Sequence, residues 1–215
     1  MNAQTQTRSI QTQSGRIEVL IDQALKPRGL ALIAHPHPLF GGSNQNKVVQ
    51  TLARAFLEQG YDTWRPNSRG VGASEGVFDE GRGETEDFLD LLQVAQSHYP
   101  GLGSAQQSLA LAGFSFGSFV ASMAYQRLES IALTADHLVL VGPAVSRFPM
   151  PQVPQQSVVI HGEDDEVVAL SDVMAWARPL DVPVLVFPHT SHFFHGRLPL
   201  LKQRVSQSLA GDRPA

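Results

Sequence analysis

Short apolar runs alternate with amphipathic helix patterns along this chain, and that alternation restricts the possible folds more than any other sequence feature. Residues 29–34 and 108–113 are short and mostly apolar, as expected for strands that are buried on both faces. Residues 47–59 and 85–98 instead carry apolar side chains at helical spacing. Strands that alternate with helices predict the α/β class, with a mainly parallel central sheet and helices on both faces.

Further elements complete the predicted order. Strands are predicted at residues 16–21, 61–65, 138–141, 158–160 and 184–187, and helices at residues 117–128, 170–177 and 198–209. The chain has 215 residues, which fits one domain with a single large core. We expect residues 15–215 to form that domain. Residues 1–14 are polar and rich in Gln and Thr, and we expect them to be a flexible N-terminal segment.

Net charge and cysteine content narrow the function classes. The formal net charge is −4 and no run of Lys or Arg occurs, so a nucleic-acid partner is not expected. The absence of cysteine excludes disulfides, zinc–thiolate sites and a cysteine nucleophile. No apolar stretch approaches the roughly 20 residues that span a bilayer, and the polar start has no apolar centre of signal-peptide type. We therefore expect a cytoplasmic protein without a membrane partner, either a monomer or a weak homodimer.

A serine between glycines follows one of the buried strands and precedes a helix. It is Ser115, the centre of the segment GFSFG at residues 113–117. A sharp strand–turn–helix exposes a serine Oγ above a sheet, and glycines flank it because side chains there would collide with neighbouring backbone. A turn built of small residues has the same pattern, so the interpretation depends on partners arriving at the same edge. Ser115 is the predicted nucleophile, and the N–H of Phe116 is a predicted oxyanion donor.

Acidic residues and histidines follow the last two predicted strands, in the order Ser, acid, His that a triad on such a sheet requires. Residues 161–168, HGEDDEVV, contain four acids, of which one can orient an imidazole while the others form a solvated loop. A hard cation is an alternative ligand for this cluster. His189, His192 and His195 come later, and His192 is the preferred base because the two aromatic residues after it can shield it from water.

The loop after the first buried strand reads HPHPLFGG, at residues 35–42, and is the expected source of a second oxyanion N–H. Its two prolines have no N–H to give, which leaves His37, Leu39 or, less favoured, Phe40. Metal ligation by the His-x-His pair is the rival interpretation, but no clear third ligand accompanies it. We expect no metal and no cofactor.

Phenylalanines near these loops are candidates for an apolar substrate pocket. The main candidates are Phe40, Phe114 and Phe193, with Phe78, Phe116 and Phe148 as further possible lining residues. About fifteen residues, several of them proline, separate the strand at 138–141 from the next strand. A segment this short has no room for a large helical cap. We therefore expect an open site, which disfavours a lipase for long acyl chains.

The motifs of this chain also occur together in a known family. They are AHPHPLFGG at residues 34–42, RGVGASEG at 69–76, GFSFG at 113–117, HGEDDEVV at 161–168 and SHFF at 191–194. In this order they resemble a family of small bacterial α/β-hydrolases, over about residues 15–205. The resemblance implies an α/β-hydrolase fold without a sizeable cap, Asp165 rather than Asp164 as the acid, His192 as the base, and the HPHP segment as the oxyanion loop.

These predictions describe a serine hydrolase that cleaves carboxylic ester or thioester bonds of small to medium acyl substrates through an acyl-enzyme. A thioesterase or a hydrolase of short peptides or amides uses the same three groups, so both alternatives stay open. The alternative from another class is a binding protein of the same fold that lacks catalysis, and the complete set of Ser, acid and His argues against it. The expected partner is a small-molecule acyl substrate.

Overall fold

The computed structural model describes residues 5–210, which form one eight-stranded sheet flanked by α-helices. The strands are β1 (Gln6–Thr12), β2 (Gly15–Asp22), β3 (Gly29–Ala34), β4 (Tyr61–Pro66), β5 (Ser108–Phe114), β6 (His137–Val141), β7 (Val158–Gly162) and β8 (Val184–Phe187). The helices are α1 (Lys47–Glu58), α2 (Arg82–His98), α3 (Phe116–Arg127), α4 (Leu170–Ala177) and α5 (Leu198–Ala210).

The sheet is mainly parallel, as the alternation of strands and helices predicts. Its strand order is β1-β2-β4-β3-β5-β6-β7-β8. The strands from β3 to β8 are all parallel, whereas β2 runs antiparallel to both of its neighbours, β1 and β4. Because parallel strands end at the same edge, the loops that follow β3, β5, β7 and β8 come together there.

Helices cover both faces of the sheet, and the side chains of one strand alternate between the two resulting cores. In β3, Leu30 and Leu32 belong to the core beneath α2, α3 and α4, whereas Ala31 and Ile33 belong to the core beneath α1 and α5. This period of two is the geometry of an extended strand. Every residue of β3 is buried, so the continuous apolar run in its sequence reflects burial on both faces.

Helix α1 begins and ends where its sequence provides the appropriate residues. The Asn46 side chain accepts a hydrogen bond from the Val48 N–H at 2.9 Å and a longer one from the Val49 N–H. Such a cap satisfies N–H groups that have no acceptor inside the helix. Gly60 follows the helix with a φ of 83°, a conformation that favours glycine. These signals explain why the prediction of a helix at residues 47–59 agrees with the structure to within one residue.

The prediction of a flexible segment at residues 1–14 is wrong for residues 6–12, which form β1 at the edge of the sheet. Hydrogen bonds to β2 hold this strand, with Ile10 opposite Ile17. Most of its side chains are exposed, so its sequence lacks the apolar alternation that identifies a half-buried strand. The predicted strand at residues 16–21 corresponds to β2, which lies next to this edge strand. Residues 1–4 of the predicted segment lie outside the described residues.

The second predicted helix begins three residues earlier than its apolar spacing indicates, at Arg82. The carboxylate of Glu84 accepts the N–H groups of Asp79 at 2.9 Å and of Gly81 at 2.8 Å, and so it closes the turn that leads into α2. A carboxylate in the first turn also complements the helix dipole. The start of α2 is therefore determined by polar contacts and not by hydrophobic spacing.

The connection between β6 and β7, residues 142–157, contains neither a helix nor a strand. The fold therefore has no cap domain at this position, in agreement with the sequence-based expectation. None of the helices formed by residues 5–210 combines the length and hydropathy needed to cross a bilayer.

Candidate active site

Side chains from three separate loops meet at the carboxyl edge of the sheet. Ser115 follows β5, Asp165 lies in the loop after β7, and His192 lies in the loop after β8. The Ser115 Oγ is 3.0 Å from the His192 Nε2, and the His192 Nδ1 is 2.7 Å from the Asp165 Oδ2. Each of the three residues is less than one-tenth exposed. A nucleophile, a base and an orienting acid in this arrangement are the groups that acyl transfer by a serine requires.

Ser115 occupies a strained turn between β5 and α3. Its φ of 56° and ψ of −119° lie outside the regions that residues with a Cβ favour. A methyl group on Gly113 would collide with the Gly117 carbonyl, and one on Gly117 would collide with the Ala34 carbonyl. The Ser115 N–H donates to the Val141 carbonyl at 2.9 Å, which ties the turn to β6. The two glycines therefore allow the close backbone approach that this turn requires.

The two carboxylate oxygens of Asp165 have different partners. Its Oδ1 accepts the N–H groups of Val167 at 2.9 Å and Val168 at 2.8 Å, while its Oδ2 faces His192. His161 Nε2 lies 3.5 Å from Oδ2, and its nearer partner is the Val168 carbonyl at 2.9 Å. Burial alone would raise the pKa of Asp165, but the hydrogen bonds from His192 and from the two N–H groups outweigh burial and lower it. The carboxylate therefore stays ionised beside the imidazole.

His192 is held by aromatic residues that pack against its ring and by a hydrogen bond from its backbone N–H. The ring centroid of Phe114 lies 4.9 Å from that of His192, and the ring of Phe193 lies at 5.1 Å in an edge-on arrangement. Gly142 has a φ of 52°, and a methyl group there would come within 3.2 Å of His192 Cε1. The His192 N–H donates to the Glu166 carboxylate at 3.2 Å. The imidazole is thus fixed in both position and orientation.

The other candidates for acid and base do not reach Ser115. The side chain of His189 is 83% exposed, and its Nδ1 is 3.8 Å from the Asp164 carboxylate, which is also exposed. The His189 N–H donates to Glu163. His195 is exposed and contacts the ring of Phe193 at a centroid distance of 6.0 Å. Among the three histidines, His192 alone contacts the serine.

The loop at residues 35–42 offers fewer free N–H groups than its sequence allows. The Leu39 N–H donates to the His37 Nδ1 at 3.3 Å, and the Phe40 N–H donates to the His37 carbonyl at 3.2 Å. The side chain of Leu39 is 68% exposed. These contacts argue against Leu39 as an oxyanion donor. Of the three candidates His37, Leu39 and Phe40, only His37 has an N–H without a hydrogen-bond acceptor within residues 5–210, so it is the candidate donor that remains.

His35, the first histidine of that loop, is engaged through both ring nitrogens. Its Nδ1 donates to the Pro36 carbonyl at 2.6 Å, and its Nε2 accepts the Ser68 N–H at 2.9 Å. Burial lowers the pKa of His35 to about 4, against the weaker opposing effect of the Pro36 carbonyl. The imidazole is therefore neutral and links two loops. Both of its ring nitrogens are already engaged, which argues against metal ligation by the His-x-His pair.

A cavity of about 340 Å³ opens above Ser115. It is lined by Pro36, His37, Phe40, Gly41, Gly42, Asn46, Ser115, Phe116, Ala144, Arg147, Phe148, Val167, Val168, His192 and Phe193. Phe40 and Phe193 line it, as the sequence predicts. The prediction for Phe114 is wrong, because this fully buried residue packs behind His192 in the core beneath α1 and α5. Phe78 does not line the cavity either, and instead contacts the rings of His37 and Phe116.

Sequence reasoning missed three residues with clear positions at this site. Gly142 leaves room for the imidazole, Glu166 holds the backbone of His192, and Arg147 lines the cavity. Gly142 directly follows a predicted strand, so its position at the carboxyl edge could have indicated a close approach. Glu166 is one of four acids in a row of loop residues, and Arg147 is a single exposed cation. No sequence pattern distinguishes either residue from a solvated charge.

Solved structures resemble this chain over nearly its whole length. A lidless α/β serine hydrolase from Xanthomonas campestris is 31% identical, with a TM-score of 0.88, and the match covers 100% of this chain and 98% of that one. An α/β serine hydrolase homologue from Coxiella burnetii is 36% identical, with a TM-score of 0.80, over 95% of this chain and 97% of that one.

Sequence comparisons identify the same group of proteins. An uncharacterized protein of Rickettsia prowazekii is 35% identical over 166 residues, which are 74% of this chain and 66% of that protein, just under two thirds of its length. A family model described as serine aminopeptidase, S33, matches residues 26–157, more than half of the chain. This chain therefore belongs to the α/β serine hydrolases, in the family described as serine aminopeptidase, S33.

Proposed function

We propose that the protein is a serine hydrolase that cleaves carboxylic ester bonds of small to medium acyl substrates, with Ser115, His192 and Asp165 as its catalytic triad. The observation that carries this proposal is the continuous contact from the Ser115 Oγ through the His192 imidazole to the Asp165 carboxylate, at the floor of an accessible cavity. Thioesters present the same carbonyl chemistry and are included in the proposal.

The proposed reaction has two halves. In the first, the Ser115 Oγ attacks the ester carbonyl while His192 Nε2 takes the hydroxyl proton, and the imidazolium then gives that proton to the departing alkoxide. An acyl-serine and a free alcohol result. In the second half a water attacks the acyl-serine, again with His192 as base, and releases the carboxylic acid. Asp165 holds the imidazole by its Nδ1–H and stabilises its charged form.

Two backbone N–H groups are proposed to stabilise the oxyanion of both tetrahedral intermediates. Phe116 is the first residue of α3, where an N–H has no acceptor inside the helix and the helix dipole favours negative charge. The second is the His37 N–H, the one among the three candidates in this loop that has no acceptor among the described residues. Donors that are already in place need no reorganisation as charge develops, which is the main source of their effect on rate.

The charge at the cavity favours an ester substrate over a peptide with a free N-terminal amino group. An aminopeptidase binds a protonated α-amino group, and a carboxylate is the usual partner for such a cation. Among the described residues that line the cavity there is no Asp, Glu or Lys, and Arg147 is the only Arg. Its positive charge would repel a protonated amino group. The family description as an aminopeptidase therefore supplies the second candidate, and this charge argues against it.

A fluorophosphonate probe tests the proposed nucleophile. We expect the wild type to become covalently labelled and to hydrolyse 4-nitrophenyl butyrate, and we expect Ser115→Ala to do neither. Ser146→Ala is the matched control, since Ser146 is an exposed serine on the same edge that does not line the cavity. Equal labelling of wild type and Ser115→Ala would refute the assignment, whereas a labelled protein that cleaves only aminoacyl amides would favour the aminopeptidase.

A further inference from the structure

Arg147 places a guanidinium at the cavity that contains Ser115 and His192. It belongs to the coil between β6 and β7, where the N–H groups of Arg147 and Phe148 both donate to the Ala144 carbonyl at 3.1 Å. This turn presents Arg147 and Phe148 to the cavity together. The residue is exposed, so its side chain can contact both solvent and a bound molecule.

No carboxylate within residues 5–210 forms an ion pair with Arg147. Other arginines of the chain are paired, for example Arg69 with Asp87 and Arg127 with Glu86. Arg147 also acts on His37. The pKa of His37 is lowered, chiefly by burial and further by the Arg147 charge, and the Glu84 charge only partly offsets this decrease. The cation is therefore close to the oxyanion loop and unneutralised.

The acids around the site are already used by backbone groups. Glu84 accepts the N–H groups of Asp79 and Gly81, and Glu166 accepts that of His192. Asp165 is occupied by His192 and two N–H groups of its own loop. None of these three carboxylates forms an ion pair with Arg147, so a molecule bound in the cavity can supply the anion that pairs with it.

We propose that Arg147 determines substrate specificity by binding an ionised carboxylate that the substrate carries in addition to its ester group. This inference rests on the proposed function. A guanidinium matches a carboxylate with two parallel hydrogen bonds, and the aromatic walls formed by Phe116 and Phe148 reduce the competition from water. The substrate class is thus a half-ester of a dicarboxylic acid, or an ester whose alcohol carries a carboxylate.

Matched pairs of esters test this inference. The acyl pair is 4-nitrophenyl hydrogen adipate and the 4-nitrophenyl ester of adipamic acid, in which a neutral amide replaces the carboxylate. The alcohol pair is 4-carboxyphenyl acetate and 4-carbamoylphenyl acetate. The measured quantity is the ratio of kcat/KM for the anionic ester to that for its neutral partner, after subtraction of the uncatalysed rate. We expect this ratio to be about five- to tenfold higher in the wild type than in Arg147→Gln for at least one pair. This is the size of effect expected from a charged hydrogen bond that water partly screens.

Three variants separate the charge of Arg147 from its other properties. Arg147→Lys keeps the charge and should retain part of the preference, and Arg147→Glu should reverse it. Arg204→Gln is the control, because it removes the same charge from an exposed position on α5 that does not line the cavity. The wild-type preference should also decrease at high ionic strength.

The outcomes distinguish this inference from the proposed function. If the neutral esters are hydrolysed but neither pair shows a ratio that depends on Arg147, the role of Arg147 is refuted and the esterase stands. If neither neutral nor anionic esters are hydrolysed, the proposed function itself fails. The pair that responds identifies whether the carboxylate lies on the acyl or the alcohol side of the scissile bond.

Discussion

Asp165 performs two tasks with one carboxylate. One oxygen holds two N–H groups of its own loop, and the other holds the imidazole of His192. The loop contacts fix the direction of the second oxygen, so the position of the base depends on local backbone geometry. Its neighbour Asp164 has a similar sequence context, yet its side chain is 61% exposed and faces His189.

We expect Asp165→Asn to lower kcat by about 100-fold or more, because an amide can neither hold the required tautomer nor stabilise an imidazolium. Asp164→Asn is the matched control, with an expected change of about twofold or less, as for other exposed charges. Steady-state hydrolysis of 4-nitrophenyl butyrate measures both. A larger loss in Asp164→Asn than in Asp165→Asn would reverse the assignment of the acid.

The buried His35 makes stability depend on pH. Its pKa is about 4 in the folded protein and near 6.5 in an unfolded chain, so the unfolded state binds the proton first as the pH falls. The stability that the neutral form of His35 contributes is therefore fully present above about pH 6.5, and it is lost as the pH falls from about 6.5 to about 4. At pH 5 the loss from this residue is about 2 kcal/mol.

Urea unfolding at pH 7.5 and at pH 5.0 measures this effect. Burial lowers the pKa of His161 as well, so the wild type should lose stability through both residues. We expect His35→Gln, which has no titratable group, to show a smaller difference between the two pH values. An equal difference in wild type and variant would show that His35 is not the group responsible.

At the level of single residues, sequence reasoning succeeded where a chemical group is tied to a strand end. Ser115 and His192 follow predicted strands, so their meeting at one edge could be anticipated. Leu39 and Phe114 could not be judged, since the orientation of an N–H and the face to which a side chain points depend on packing. Arg147 and Glu166 gave no signal, because a charge in a loop has the same sequence pattern whether it faces a cavity or only water.

Among the elements, α3 and β3 approach each other most closely at the serine turn. Gly117, in the first turn of α3, lies against the Ala34 carbonyl at the end of β3, and its backbone has no room for a Cβ. The two elements, separated by about 80 residues of chain, thus meet without an intervening side chain. This approach brings the N–H of Phe116 and the loop of His37 to the same cavity.

We expect Gly117→Ala to reduce the free energy of unfolding by about 3 kcal/mol or more, because backbone atoms would have to move to accept the methyl group. The control is Gly196→Ala, whose added methyl meets no neighbouring atom and whose φ of 71° costs about 1 kcal/mol. Thermal unfolding followed by circular dichroism compares the two. A Gly117→Ala protein as stable as Gly196→Ala would contradict the close approach.

Elements could be predicted from sequence where a local pattern of residues marks them. The fully buried β3 and the well-capped α1 were located to within one residue, because apolar pattern and capping residues act locally. The edge strand β1 was missed, since backbone pairing with β2 holds it and its side chains remain mostly in water. The early start of α2 was missed because it depends on the contacts of Glu84.

For the whole molecule, the main functional property is an uncovered site. The connection at residues 142–157 has no helix that could close over Ser115, and Phe40 and Phe193 at the cavity mouth are exposed. A cavity of about 340 Å³ holds a small substrate. A long acyl chain would extend beyond it into solvent, where further methylene groups gain little burial.

We therefore expect kcat/KM for 4-nitrophenyl esters to rise from acetate to butyrate and to level off by octanoate. A methylene group that became buried would add about 0.8 kcal/mol, or roughly fourfold per carbon. The rate should also depend smoothly on substrate concentration up to the solubility limit, since no lid has to open. A continued rise to palmitate, or a jump in rate where the substrate forms an interface, would show that long chains are covered after all.

The coil between β6 and β7 also separates, along the sequence, the proposed nucleophile from its base and acid. Ser115 and the proposed oxyanion donors precede residues 142–157, whereas Asp165 and His192 follow them. Neither fragment alone would contain both a nucleophile and its base. A cut in this coil would thus create two inactive pieces that regain activity only when β6 and β7 pair again, so hydrolysis would report the reassembly of the two fragments.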